Sequence, residues 1–253
     1  MSNGYLLHSL VREFVREKLD AEENAKEVRL RGSEVMMNVM MDYDAKGKYQ
    51  AAIPLCQRAL EIRKEQLGDR HLSTATSLNN MASIYESMGR YESAEPLYLE
   101  SLEIWKEQVG DRHLGTAKSL NNLAALYQSM GRYESAEPLF LSSLEIIKEK
   151  LGGQNPFTAD SLNNLARLYE LMGRYESAEP LFLSSLEIRK EQLGDRHPDT
   201  ASSLNNLAEL YRSMGRYESA EPLYLQSLEI LKEQLGDRHP DQGCFILIEM
   251  LIW

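Results

Sequence analysis

NNLAELYRSMGRYESAEPLY, residues 205–224, repeats almost letter for letter NNLARLYELMGRYESAEPLF, residues 163–182. The core wording GRYESAEPL begins at Gly89, Gly131, Gly173 and Gly215, and a looser copy, GKYQAAIPL, begins at Gly47. Successive glycines stand 42 residues apart. Self-similarity at one fixed period marks a unit that stacks on copies of itself, so the chain reads as one repeat array instead of several globules. Five units result, the first of them divergent.

Each unit reads as two helices. In the last copy Leu204, Leu207, Ala208, Leu210 and Tyr211 follow 3-and-4 spacing, which predicts an amphipathic helix of about four turns. Gly215 ends it, as a residue at home in left-handed geometry does. A second apolar pattern follows at Tyr217, Ala220, Leu223, Tyr224, Leu228 and Ile230, closed by Gly236. GDRHP forms the connector between units, and His197 and Thr200 are both candidate N-caps for the helix after it. Pro54, Pro96, Pro138, Pro180 and Pro222 fall near the start of each second helix. There a proline either costs little or, if the helix begins a residue or two earlier, bends it.

Leu204, Leu207, Ala208, Tyr211, Gly215, Tyr217, Ala220 and Tyr224 resemble the signature of the tetratricopeptide repeat (TPR), with small residues where two helices cross and large ones between them. The usual TPR period is about 34. The longer period here, with its wording LNNLA…Y…G.YE.AEPLY…LEI…LG..HP, resembles the kinesin-light-chain type and covers residues 33–241. The resemblance implies an all-α fold, a right-handed superhelical α-solenoid of five TPR helix pairs with an N-terminal helix. The units are expected near 33–74, 75–116, 117–158, 159–200 and 201–241, after a cap or winged-helix remnant at 1–32 and before an apolar tail at 242–253. Such arrays bind many unrelated partners, so the likeness speaks to fold more than to function.

In that family the first helices line the concave surface. Carried over, the inward positions of the last unit are Ser202, Asn205, Asn206, Glu209, Arg212 and Ser213. The preceding units place Asn163, Asn164, Arg167 and Glu170, then Lys118, Asn121 and Asn122, then Asn79, Asn80 and Glu86 there, and the divergent first unit keeps only Asn38. The asparagine pair is constant across four units while its neighbours vary. An amide carries both a donor and an acceptor, so it can hold an extended peptide backbone without reading side chains. The alternative is that the amides bond to the neighbouring repeat and set the stacking angle. Some TPR domains grip a C-terminal carboxylate with clustered Lys, Arg and Asn; the clustered lysines are missing here.

Other motifs carry no catalytic expectation. GDRH recurs at 68–71, 110–113, 194–197 and 236–239, but successive turns are displaced by roughly 10 Å, the thickness of packed helices, and cannot share an ion. The turn at 152–156 that leads into the fourth unit reads GGQNP and lacks the histidine, so loop and cap roles are expected. No P-loop, GxSxG, HExxH or CxxC is present, and no cofactor or metal is expected. Cys56 replaces Tyr98, Phe140, Phe182 and Tyr224 and reads as a buried, inert thiol. Met88, Met130, Met172 and Met214 read as turn packing, and Trp105, in the place of Arg63, Ile147, Arg189 and Leu231, as an exposed, changeable position.

Net charge is −11 with 26% charged residues, which argues against a nucleic-acid or anionic-membrane partner. No apolar run of about 18 residues and no signal-peptide pattern occur. Two cysteines far apart fit a reducing cytoplasm. At the N-terminal end, residues 5–30 have a helical pattern with Leu7, Leu10, Val11, Phe14 and Val15 on one face. YLLHSLVREFVREKL resembles the end of the winged-helix segment of STAND-type (NB-ARC-like) bacterial regulators, in which TPR arrays act as sensors. The chain reads as a piece following such a module, a stand-alone descendant, or an array with an N-terminal cap. At the other end QGCFILIEMLIW breaks the repeat, and residues 243–253 form a self-association site if they stay exposed. The sequence thus predicts a non-catalytic, cytoplasmic module that binds a protein or peptide in its groove, or a spacer or self-assembling scaffold. A motor-light-chain role is not expected, because the long heptad segment is not in this sequence.

Overall fold

The computed structural model describes the backbone of residues 3–235 and the side chains of residues 23–233. Ten α-helices and no strand occur among them, so the fold is all-α, a tandem helical repeat of the solenoid class. The chain divides into two units, Met1–Gly110 and Asp111–Trp253. The first holds α1 (Asn3–Ala45), α2 (Tyr49–Leu67), α3 (Leu72–Ser87) and α4 (Tyr91–Val109). The second holds α5 (Leu114–Ser129), α6 (Tyr133–Leu151), α7 (Pro156–Leu171), α8 (Tyr175–Leu193), α9 (Pro198–Ser213) and α10 (Tyr217–Leu235). In the second unit each odd helix packs on the next even one, α6 and α8 each pack on the following odd helix, and α7 touches both α5 and α9. The odd helices therefore lie side by side and build one continuous face.

The turn inside each pair is written in the glycine. Gly215 adopts φ 72°, its N–H donates to the Arg212 carbonyl, and the Arg216 N–H reaches back to Tyr211 at 2.8 Å. That is a Schellman ending, which satisfies two last-turn carbonyls and needs a residue without Cβ at the left-handed position. Met214, as expected, sits at the cap of α9. Gly194 ends α8 with φ 94° and ψ 161°, a conformation other residues avoid.

The proline belongs to the bend alternative. α10 begins at Tyr217, so Pro222 is its sixth residue, beyond the first turn where N–H groups lack helical partners. Each even helix gives up one backbone bond in its second turn.

Packing follows the repeat. Ala178, Ala201 and Ala208 are fully buried, which lets helix axes approach closely, and Phe140, Phe182, Leu168, Leu204 and Leu210 fill the space between them. Burying a side chain of the size of Phe182 contributes about 2–3 kcal/mol. Buried serines add a bond inside each pair: Ser143, Ser185 and Ser227 donate to the carbonyls of Ala117, Ala159 and Ala201 at 2.8 Å. In the first unit Cys56 is fully buried with Met40, Ala52 and Ile84, and burial pushes its thiol up to about 12.

The Trp105 position is corrected. Arg63 and Arg189 are buried there, while Trp105, Ile147 and Leu231 are half-buried. At Arg63 and Arg189 the side chain points between helices, and the guanidinium reaches Ser77 and Ser203 on the next odd helix. The helix expected over residues 5–30 is part of α1, which runs unbroken through residue 33 into the first repeat; a single glycine, Gly32, does not stop it. The side chains of Leu7, Leu10, Val11, Phe14 and Val15, the tail 242–253 and the last GDRH lie outside the described residues.

Candidate functional site

The face built by α5, α7 and α9 carries a ladder of amides. Asn164 Nδ2 donates to Asn121 Oδ1 at 3.0 Å, and one repeat on, Asn206 Nδ2 donates to Asn163 Oδ1 at 2.9 Å. The second asparagine of each pair thus bonds to the first asparagine of the repeat before it. The geometry comes from the period: the helices stack in register, so positions 43 residues apart meet. All six asparagines, Asn121, Asn122, Asn163, Asn164, Asn205 and Asn206, are half-buried.

Around the ladder, Lys118, Arg167 and Arg212 are exposed and Glu209 is half-buried. Glu209 accepts from Arg212 at 2.7 Å and from the Tyr224 hydroxyl at 2.5 Å. In the first unit Asn79 and Asn80 are half-buried on α3 and Asn38 is exposed on α1. The structure therefore brings Asn121, Asn163, Asn164 and Asn206 into direct contact, with the charged residues as their fringe. Asp160, three residues before Asn163 on α7, accepts from Arg189 at 2.6 Å and ties α7 to α8.

One carboxyl stands out. Glu170 Oε1 accepts from Ser213 at 3.1 Å, while its buried Oε2 has no hydrogen bond, with Arg167 Nη1 at 3.5 Å. Burial raises its pKa above the ordinary carboxylate value, and Arg167 opposes the rise. The cause is one missing hydroxyl. Tyr98 gives its hydroxyl to Glu86, twelve residues earlier, at 2.9 Å; Phe182 stands in the same relation to Glu170 and has none to give.

The recurrent motifs act as mortar between repeats. In GDRH the histidine caps the next helix: His197 Nδ1 accepts from the Asp199 N–H at 3.1 Å, and His71 and His113 do the same. Asn155 replaces them in GGQNP through Oδ1 to the Phe157 N–H at 3.0 Å, which explains how the fourth unit dispenses with the histidine. Accordingly, His197→Ala should cost about 1 kcal/mol in chemical denaturation and His197→Asn close to nothing. The arginine of GDRH reaches the following even helix: Arg196 meets Glu229 at 3.0 Å and Glu233 at 3.3 Å. Sequence reasoning missed a second clamp. Tyr211 and Arg216 both donate to Glu179 of the preceding repeat, at 2.9 and 3.1 Å, and the Arg216 guanidinium lies 4.3 Å from the Tyr211 ring centre. Tyr169, Arg174 and Glu137 repeat it. The signal was the co-occurrence, in every full copy, of GRY and AEP with a tyrosine four residues before the glycine, at Tyr85, Tyr127, Tyr169 and Tyr211.

Helix pairs stacked in register, joined by a polar ladder on one side and ion pairs on another, define a helical-repeat scaffold of the kind that presents an extended surface to other proteins. The tetratricopeptide-repeat family matches residues 35–107, 75–149, 115–191 and 157–233, and the chain belongs to that family. As a class, TPR arrays are protein–protein interaction modules; the fold does not name the partner. No curated protein matches the chain. Among solved structures it is similar to a Podosopora anserina protein described as a kinesin light chain with nearly identical TPR-like repeats, at TM-score 0.67 and 24% identity over 83% of this chain and 99% of that one. BtubC from P. vanneervenii gives 0.66 and 22% over 86% and 93%. A Rap protein complexed with competence and sporulation factor gives 0.69 and 18%, over 81% of this chain and 56% of that one. At these identities the likeness is one of fold. No helix among the described residues is long and apolar enough to cross a membrane.

Proposed function

We propose that the α5–α7–α9 face holds an extended peptide or protein segment by its backbone, as a non-catalytic module. The observation that carries this is the half-spent amide ladder. Each bonded pair leaves the NH2 of Asn121 or Asn163 and the oxygen of Asn164 or Asn206 uncommitted among the described residues. Those are the two groups that a peptide backbone pairs with. Because the amides brace one another, they are ordered before a ligand arrives, which lowers the entropy lost on binding. Lys118, Arg167 and Arg212 place positive charge around them and Glu209 negative charge, and this mixture supplies selectivity. The equivalent Asn38, Asn79 and Asn80 take the same role in the first unit.

The test is selection of peptides from a displayed random library on the wild-type chain, followed by affinity measurement. Asn121→Ala with Asn164→Ala should weaken the selected peptide about tenfold while leaving the helical signal intact. Unchanged affinity with a lowered melting temperature makes the ladder purely structural and favours the second reading, a spacer whose amides only fix the repeat stacking. A cytoplasmic setting accords with the free, buried Cys56 thiol. A sensor arm of a STAND-type regulator rests on the wording of residues 5–19 alone.

A further inference from the structure

We infer that the chain stacks end to end on a second copy of itself, the last repeat of one copy receiving the first repeat of the next. This contact shares only the terminal amides, Asn38 and Asn205, with the amide face proposed for peptides. The inference begins from what each inner junction of the second unit consumes. At every such junction the earlier repeat offers a tyrosine ring, a carboxylate and an amide oxygen. The later repeat fills them with an apolar helix face, a Tyr–cation pair and an amide NH2. Glu179 and Asn163 are met in this way by Tyr211 with Arg216 and by Asn206, and Tyr175 packs against the core cluster that includes Leu207.

The last described repeat presents the same three acceptors. Tyr217 is 68% exposed, whereas Tyr133 and Tyr175 are half-buried against the core. Glu221 is exposed, whereas Glu137 and Glu179 carry a tyrosine hydroxyl and a guanidinium. Asn205 occupies the amide-acceptor position of Asn121 and Asn163.

The first repeat presents the matching donors. Val35 and Val39 are 60% and 39% exposed on α1, while Ser161 and Ser203 at the first position and Leu165 and Leu207 at the second are all buried. Asn38 takes the place of the donating amide, and Tyr43 with Lys48 the place of Tyr211 with Arg216. The two ends are complementary in shape class, in hydrogen-bond sense and in charge, and they continue an interface the chain already makes with itself. The ends differ, so the contact is heterologous and propagates into a row instead of closing as a pair.

Sedimentation velocity of the whole chain against concentration tests this, with two one-ended variants. Wild type should show a rising series of multiples of the chain mass. Glu221→Lys and Val35→Asp, both at exposed positions, should each stay at one chain mass with unchanged helicity. Mixed together they should give a dimer and nothing longer, because each retains one good end. A wild type that stays at one chain mass at every concentration overturns the proposal. So does an assembly that survives both variants but is lost when residues 243–253 are removed.

Discussion

Phe182→Ala should cost about 3–5 kcal/mol in chemical denaturation, whereas Phe182→Tyr should stabilise the chain by about 1 kcal/mol. Phe182 is fully buried in the core of the second unit, so truncation removes apolar burial and leaves a cavity that fixed helix spacings cannot close. The tyrosine substitution adds a hydroxyl where Glu170 Oε2 lacks a donor, on the template that Tyr98 and Glu86 provide in the first unit. The pH dependence follows. Burial raises the Glu170 pKa in the folded state, so the folded chain holds this proton more tightly than the unfolded one. Its contribution is fullest below the ordinary carboxylate range and is lost as pH rises through the raised value. A hydroxyl donating to the ionised form lowers that value, so F182Y should lose less stability over the same window. A melting temperature lowered at neutral pH by F182Y, with the same pH slope as wild type, would show that the hydroxyl does not reach the carboxylate.

Arg189→Ala should cost about 2–4 kcal/mol, and Arg189→Leu less than about 1 kcal/mol. The buried guanidinium donates to the Asp199 carbonyl at 2.9 Å, the Ser203 hydroxyl at 2.8 Å and Asp160 at 2.6 Å, joining α7, α8 and α9. Alanine deletes all three bonds and the stem that fills the gap. Leucine keeps the volume, and neighbouring repeats already hold Ile147 and Leu231 at this position. Asp160 is more than half exposed and regains water when its partner leaves, so no charge is stranded. Equal losses for the two variants, measured by denaturant midpoint, would mean that the ion pair and not the packing sets the cost. The contrast also explains why the repeats drift freely here: a buried guanidinium paired with a carboxylate at the surface and an aliphatic side chain are near-equivalent solutions once desolvation is counted.

The repeat itself was legible because its cues are local. A left-handed glycine at Gly215, period-3.6 leucines before it and alanines at helix crossings each act within a turn or two, and four near-identical copies removed ambiguity. The cap was half legible: His197 and Thr200 were both eligible, and only the backbone placed the N-cap at His197, while Thr200 donates to the Gly194 carbonyl at 2.8 Å. Position 105 misled because Arg, Trp, Ile and Leu look interchangeable on a surface. They also are interchangeable at a half-buried seam wide enough for any of them.

What the sequence alone determined was the all-α class, the five-fold repetition and the helix that each recurring asparagine occupies, since periodicity and turn chemistry act between near neighbours in the chain. Which asparagine bonds to which, that Glu137 and Glu179 are clamped by the next repeat, and that Glu170 is left short of a donor, only the tertiary structure decided. Those contacts join residues more than thirty positions apart. They depend on the stacking register between helices, and the register follows from how all the buried side chains pack together, a property that no single stretch of the chain contains.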